Sequence, residues 1–203
     1  MRKFWLLIAA GLLAGHVLPW AQHNTAALTL SGHDLAIFLN DTPYAGGFAN
    51  EWFYVPAWVA GLLMAFAANQ SDRPLWQRLA LGVLGACVAS LGLPPYEKLR
   101  DILHQPDYQV RFAVSALVML DCLVMAALRR PKFPSAYGAA LAGLNVIPLY
   151  GFSLMRWPIS QLYGNDVNFG LGWWLTLFTI ALVIVFFVYG LVRARNLRAP
   201  AQT

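Results

Sequence analysis

Asp121 and Asn145 are the polar side chains best placed to do chemistry, because both lie inside long apolar stretches of this 203-residue sequence. A carboxylate within a membrane span costs about 2.5 to 3.5 kcal/mol on insertion scales and is a functional hypothesis by default. Counted from the ends of their segments, the two residues lie at similar depths of about 12 and 15 Å. They are predicted to meet as an intramembrane polar pair, either a protonatable or cation-binding group or a structural hydrogen bond of about 1 kcal/mol.

His16 is the one histidine predicted to lie in an apolar segment. A neutral imidazole there is a candidate ligand for haem or a chlorophyll-type pigment, and otherwise a hydrogen-bonded histidine near the membrane interface. Six-coordinate haem in a helical bundle asks for a second histidine at matching depth. The other three histidines fall in predicted loops: His23, His33 and His104.

The predicted outer loops hold many further groups that bind metals in other proteins. These are His23, His33, Asp34, Asp41, Glu51, Glu97, Asp101, His104 and Asp107. None has metal-ligand spacing, since the sequence contains no HxxxH or HExxH, and Cys87 and Cys122 form no CxxC. No metal site is predicted. The sequence also lacks GxxxxGK[ST], GxGxxG and GxSxG, so no catalytic residue is predicted.

Composition decides which elements position these residues. Apolar residues make up 59% of the chain and charged residues 11%, against roughly 25% charged in soluble domains. The predicted fold class is an all-α polytopic membrane protein, a single domain of six transmembrane helices covering residues 1–203. The predicted helices span residues 4–20, 52–68, 79–93, 110–128, 135–152 and 169–192. The long outer loops then span residues 21–51, 94–109 and 154–168.

Basic residues predict the orientation of this bundle. With the N-terminus inside, ten lie on the cytoplasmic side: Arg2, Lys3, Arg73, Arg78, Arg129, Arg130, Lys132, Arg193, Arg195 and Arg198. Four lie outside: Lys98, Arg100, Arg111 and Arg156. Ten against four fits the positive-inside rule for both termini in the cytoplasm of a bacterial inner membrane. Met1-Arg2-Lys3 and the following segment are expected to form a retained signal anchor, since no A-x-A-like cleavage site follows.

Two local patterns add detail. The segment Leu35 to Leu39 is predicted to form a short helix at the interface, capped by Ser31 or Asp34, and turns are predicted over Asp41 to Gly47. Small residues recur at helix-packing spacing, as in Gly11-x-x-x-Gly15 and Gly138-x-x-x-Ala142. Such pairs let helices approach closely within the bundle or against another subunit.

Three functions remain open from these observations. The favoured one is a noncatalytic accessory subunit of a bacterial membrane complex, respiratory or photosynthetic, that contacts lipid, other integral membrane subunits and a haem, quinone or pigment. Nucleic acid is not an expected partner, because the basic residues lie in short loops rather than on one face. The alternatives are a small-solute transporter or its binding component, with Asp121 and Asn145 near the path, and a membrane enzyme that uses His33 or His104.

Overall fold

The computed structural model describes residues 2–22, 29–38, 50–70, 72, 74–95, 106–128, 135–164 and 166–198, and most of these are helical. The helices are α1 (Arg2–Val17), α2 (Gly32–Phe38), α3 (Val55–Asn69), α4 (Leu75–Ala89), α5 (Pro106–Ala127), α6 (Ser135–Gly143), α7 (Val146–Tyr163) and α8 (Leu171–Arg198). Two 3-10 turns, Asn50–Tyr54 and Ser90–Gly92, precede α3 and follow α4. Three short strands are β1 (Pro19–Gln22), β2 (Thr29–Ser31) and β3 (Asn168–Phe169).

Five helical segments are long and apolar enough to cross a membrane. They are Glu51–Asn69, Leu75–Gly92, Tyr108–Ala127, Ser135–Gln161 and Leu171–Arg193, and each overlaps one of the five predicted segments that follow the first. The first predicted span corresponds to α1, whose 16 residues rise about 24 Å, less than the hydrocarbon thickness of about 30 Å. The described residues therefore contain five candidate spans where six were predicted.

Helix α3 is the centre of the bundle, and 83% of its span is buried. It packs against α1, α4 and α5. A side chain at Gly61 of α3 would run into the backbone of Gly85 on α4, so glycine permits the closest approach of these two helices. The Gly11 and Gly15 pair of α1 lies against Thr179 and Thr176 of α8 in the same way. These small residues therefore pack the helices of one chain.

Several predicted boundaries differ from those in the structure. Helix α1 ends at Val17, and Pro19 starts β1, which pairs antiparallel with β2 and β3 in a small sheet that was not predicted. The segment predicted as one helix over 135–152 is interrupted at Leu144 and Asn145. Its second part, α7, continues to Tyr163, through most of the predicted loop 154–168. Pro148 lies in the first turn of α7, where its missing N–H costs nothing.

The predicted short helix is confirmed as α2. The Asp34 amide donates a hydrogen bond to Ser31 Oγ at 3.2 Å, and the Ser31 amide donates one back to Asp34 Oδ2 at 2.9 Å. This reciprocal pair is a capping box that fixes the start of the helix. Leu35 and Ala36 are fully buried, so α2 folds onto the helical bundle.

At the opposite end of the bundle, two buried polar side chains hold the C-terminus of α5. Asn69 Nδ2 donates to the carbonyl oxygens of Met125 at 3.2 Å and Leu128 at 3.3 Å. Arg78 Nη2 donates to the carbonyl of Ala127 at 3.2 Å. The last carbonyls of a helix have no partner within it, and a cation there also complements the helix dipole. We call Asn69 and Arg78 the α5 clamp.

Candidate functional site

Four side chains from four parts of the chain meet at the end of the bundle opposite the α5 clamp. They are His16 at the end of α1, His33 in α2, Tyr54 at the end of the 3-10 turn before α3, and Arg111 in the second turn of α5. We call them the histidine cluster. The antiparallel pairing of β1 with β2 turns the chain back after α1, which brings α2 and His33 over His16.

His16 is the most enclosed member of the cluster. Its side chain is 1% exposed, and neither Nδ1 nor Nε2 makes a hydrogen bond of good geometry within the described part of the chain, although the backbone of Phe53 lies close to the imidazole. Its ring centroid lies 6.2 Å from that of His33, at 85°, and 6.1 Å from that of Tyr54. Gly32 lies directly against Nδ1, where any side chain would crowd the imidazole. A buried polar group without a partner costs about 1 to 3 kcal/mol, so this position needs an explanation.

The Tyr54 side chain is also buried without a hydrogen-bond partner among the described residues. It is 1% exposed, and its hydroxyl makes no hydrogen bond to any residue that the structure describes. Its ring lies 5.6 Å from the ring of His33. The guanidinium carbon of Arg111 lies 3.9 Å from the ring centroid, a cation–π contact. The hydroxyl of Tyr54 and the imidazole of His16 are thus two neighbouring groups that can each donate and accept a hydrogen bond.

Arg111, in contrast, is held firmly by the backbone. It is 3% exposed, and its Nε and Nη2 donate to the carbonyl oxygens of Gly92 and Leu93, both at 2.7 Å. These carbonyls end the 3-10 turn after α4, so the guanidinium closes that turn much as the α5 clamp closes α5. Arg111 therefore joins α4 and α5 and fixes the face of Tyr54.

His33 is half-buried at the entrance of the cluster. Burial and, to a smaller extent, the nearby Arg111 guanidinium lower the pKa of His33 below its ordinary value of 6.5, while Asp34 opposes this shift. The Asp34 carboxylate is engaged by Ser31, whose hydroxyl donates to it at 2.7 Å. At neutral pH the cluster therefore presents His33 as a neutral imidazole beside a fixed guanidinium.

An apolar groove of about 300 Å³ lies beside the cluster, between α3, α5 and the break before α7. Its walls include Trp52, Val55, Trp58, Val114, Val118 and Leu144, and Glu51 lies at one end. Trp58 separates the groove from the cluster: its ring lies 6.1 Å from that of Tyr54, and its Nε1 donates to Ser115 Oγ at 3.1 Å. The histidine cluster and the apolar groove thus lie on opposite sides of Trp58.

This arrangement suits a ligand that accepts and donates hydrogen bonds. The described residues contain no group of three His, Cys, Asp or Glu side chains placed to hold a metal ion. The rings of His16 and His33 are neighbours in the structure, although His16 was predicted in a helix and His33 in an outer loop. A second histidine therefore does reach the depth of His16. Haem ligation between them would require Gly32 and its neighbours to move away from His16.

Asp121 and Asn145 do not form the predicted pair. Asn145 is fully buried, its Nδ2 donates to the Ala142 carbonyl at 3.0 Å in its own turn, and its Oδ1 has no partner in the described residues. Asp121 is half-buried near Tyr137 and Cys122, and no hydrogen bond joins it to Asn145 in the described structure. Whether Asp121 has a role of its own stays a prediction.

Other sequence candidates have different outcomes. His23, Asp41, Glu97, Asp101 and His104, and the turns predicted over Asp41 to Gly47, lie outside the described residues. Tyr54, Trp58 and Arg111 were not predicted as site residues. One signal in the sequence points to Arg111. It lies inside the predicted span 110–128, where a charge is a functional candidate, although the prediction used it only for the orientation of the bundle.

Comparison of the chain with known protein families, with curated proteins and with solved structures finds no match. The fold and the site define the class of protein: a helical bundle with several membrane-length helices and a buried polar cluster at one end. The function is therefore inferred from the geometry of that cluster and of the surfaces around it.

Proposed function

We propose that the protein is a noncatalytic subunit of a complex in the bacterial inner membrane and that its histidine cluster holds the head group of a quinone-type amphiphile. The observation that carries this proposal is the pair of buried groups without hydrogen-bond partners, the His16 imidazole and the Tyr54 hydroxyl. Quinone carbonyls accept hydrogen bonds, and quinol hydroxyls also donate them. Such a head group would satisfy both side chains at once.

The groove supports an amphiphile over a wholly polar solute. It offers an apolar lining to a tail on the far side of Trp58 from the cluster. A ligand with its head at Tyr54 and its tail along Val114 and Val118 would contact α3 and α5 along its length, and its binding requires the Trp58 side chain to move aside. A small polar solute bound at the cluster would not occupy this groove, so lipid tails would fill it.

Membership of a larger complex is supported by the outward faces of α5 and α8. Only 28% of the α5 span and 22% of the α8 span are buried, against 83% for α3. Large side chains on these faces, such as Leu117, Leu120, Phe178 and Val185, are 57 to 65% exposed. In a bilayer these faces meet lipid or the helices of partner subunits. We further propose that α1 makes a sixth crossing, which leaves both termini in the cytoplasm.

The direct test is gentle detergent extraction from the native membrane, followed by subunit composition, a visible spectrum and quantification of extractable quinone. We expect a stoichiometric assembly with about one quinone per chain. His16→Phe should lose the quinone while the assembly persists, which separates ligand binding from complex formation. Purification of a lone chain without quinone would contradict both parts of the proposal.

A second candidate, a small-solute carrier or binding component, has one observation in its favour. Asp121 is a half-buried carboxylate inside the α5 span. For this function we expect Asp121→Asn to abolish uptake into vesicles while leaving the protein folded. The remaining candidate is an enzyme that acts through His33. For that function we expect His33→Ala to lose catalytic turnover while it still binds the ligand.

A further inference from the structure

A second cavity, of about 490 Å³, lies at the end of the bundle that carries the α5 clamp. It is bounded by the start of α6 and the last turns of the α8 span. Its lining includes Ser135, Phe186, Phe187, Gly190, Leu191 and Arg193. The apolar residues come first along α8, and Arg193 ends the apolar span about 10 Å beyond Phe186.

Gly190 keeps this cavity open. A methyl group placed there would meet no atom within 4 Å, so glycine is not required for close helix packing at this point. A glycine inside a helix costs about 1 kcal/mol relative to alanine. Its position beside Phe187 and Leu191 leaves an apolar furrow on α8 that a larger side chain would fill.

The electrostatic surroundings of the cavity are positive. Among the described residues that line it, Arg193 is the charged one. Phe186 stacks on Phe4 of α1 with ring centroids 4.0 Å apart, which brings the first turn of α1, with Arg2 and Lys3, to the same end. Arg2 Nε is buried and has no hydrogen-bond partner in the described chain. Basic pockets between transmembrane helices at the cytoplasmic surface are typical sites for anionic lipid head groups.

We infer that this cavity is a binding site for one anionic phospholipid of the inner leaflet. The acyl chain lies along Phe186, Phe187 and the furrow at Gly190, and the phosphate is attracted by Arg193 and by the basic start of α1. This site is independent of the histidine cluster and of the proposed quinone, since the two lie at opposite ends of the bundle.

Native mass spectrometry of the purified full chain tests this site. Phosphatidylglycerol and phosphatidylcholine with the same acyl chains are titrated in turn. We expect one phosphatidylglycerol to bind in preference to phosphatidylcholine. Arg193→Gln should reduce that preference about fivefold, the effect of one basic residue near an anionic head group. Arg198→Gln makes the same charge change on the same helix and should leave the preference within twofold of wild type.

A second variant tests the apolar part without changing charge. Gly190→Leu should weaken both lipids alike, whereas Gly143→Leu, at another glycine with open space around it, should change neither. Equal binding of the two lipids to wild type, or equal effects of Arg193→Gln and Arg198→Gln, would overturn the inference. So would a dimer that excludes phospholipid and is lost in Gly190→Leu, because a second copy of the chain would then occupy the furrow.

Discussion

The two ends of the bundle treat buried polar side chains in opposite ways. At the α5 clamp, Asn69 and Arg78 reach three carbonyl oxygens that α5 cannot satisfy itself. In the histidine cluster, both nitrogens of His16 and the hydroxyl of Tyr54 make no hydrogen bond of good geometry in the described structure, although the Phe53 backbone lies close to His16. Asn69 Oδ1 and Arg78 Nε also lack a partner among the described residues, but the other polar atoms of the clamp complete a helix end, so the clamp side chains are explained by folding alone. The cluster side chains are not, which is why we assign them to a ligand.

Arg111 belongs to the histidine cluster, but like the clamp side chains it is satisfied by hydrogen bonds. Its substitution should have the largest effect on stability. Arg111→Leu removes two 2.7 Å hydrogen bonds and leaves the Gly92 and Leu93 carbonyls buried. We expect a loss of about 3 kcal/mol in the free energy of unfolding, measured by denaturant titration in detergent. Arg156→Leu, which removes one 2.6 Å hydrogen bond to the Val167 carbonyl and a cation–π contact with Phe169 at a half-buried site, is the control and should cost about 1 kcal/mol. Equal losses would show that burial at Arg111 adds nothing.

Substitution in the α5 clamp should have the second-largest effect on stability. Asn69→Leu keeps most of the volume but leaves the Met125 and Leu128 carbonyls without their donor. We expect unfolding to become easier by about 1 to 2 kcal/mol. Asn145→Leu, whose amide donates only within its own turn, should cost less in the same titration. If Asn145→Leu were the more damaging variant, the clamp would not be the structural contact described above.

His16→Phe should have little effect on the stability of the ligand-free protein, despite complete burial of the side chain. Replacing a polar group that has no partner by an apolar one of similar shape removes a desolvation cost. We expect a change within about 0.5 kcal/mol, or a gain. The control is Trp20→Phe, since Trp20 is equally buried but its Nε1 donates to the Gly15 carbonyl at 2.6 Å. A His16→Phe protein as unstable as Arg111→Leu would mean that His16 has a structural partner.

The smallest expected effect is the contribution of His33 to the pH dependence of stability. Because burial lowers the pKa of His33 from 6.5 in the folded state, the unfolded chain binds more protons once the pH falls below about 6.5. Stability should therefore decrease as the pH falls through this value and be constant above it. His33→Gln should reduce this slope, which thermal melts at a series of pH values would measure against wild type. An unchanged slope would mean that His33 titrates as in the unfolded chain.

The sequence predicts the helices well because their signals are local. Apolar length identifies the five candidate spans, and the Ser31 and Asp34 spacing identifies the capping box of α2. Boundaries fail where tertiary contacts decide them, as at β1, which forms because β2 and β3 pair with it. The break at Leu144 and Asn145 has no comparable local signal.

The histidine cluster could not be predicted for the same reason. His16 was identified by its depth in an apolar segment, but its neighbours depend on the return of the chain through β1 and β2. His33 lies 17 residues from His16 in the sequence, and Tyr54 and Arg111 are further away. For the predicted pair of Asp121 and Asn145, the described structure shows only that the Asn145 amide bonds within its own turn.

Binding of a quinone-type head group by the histidine cluster is tested most directly by thermal denaturation with a short-chain quinone. A ligand that binds only the folded state raises the midpoint with its concentration. We predict such a rise for the wild-type protein and for Asn69→Leu, which keeps the cluster, and no rise for His16→Phe. A midpoint that does not respond in wild type, or that rises equally in His16→Phe, would contradict the assignment of the cluster to this ligand.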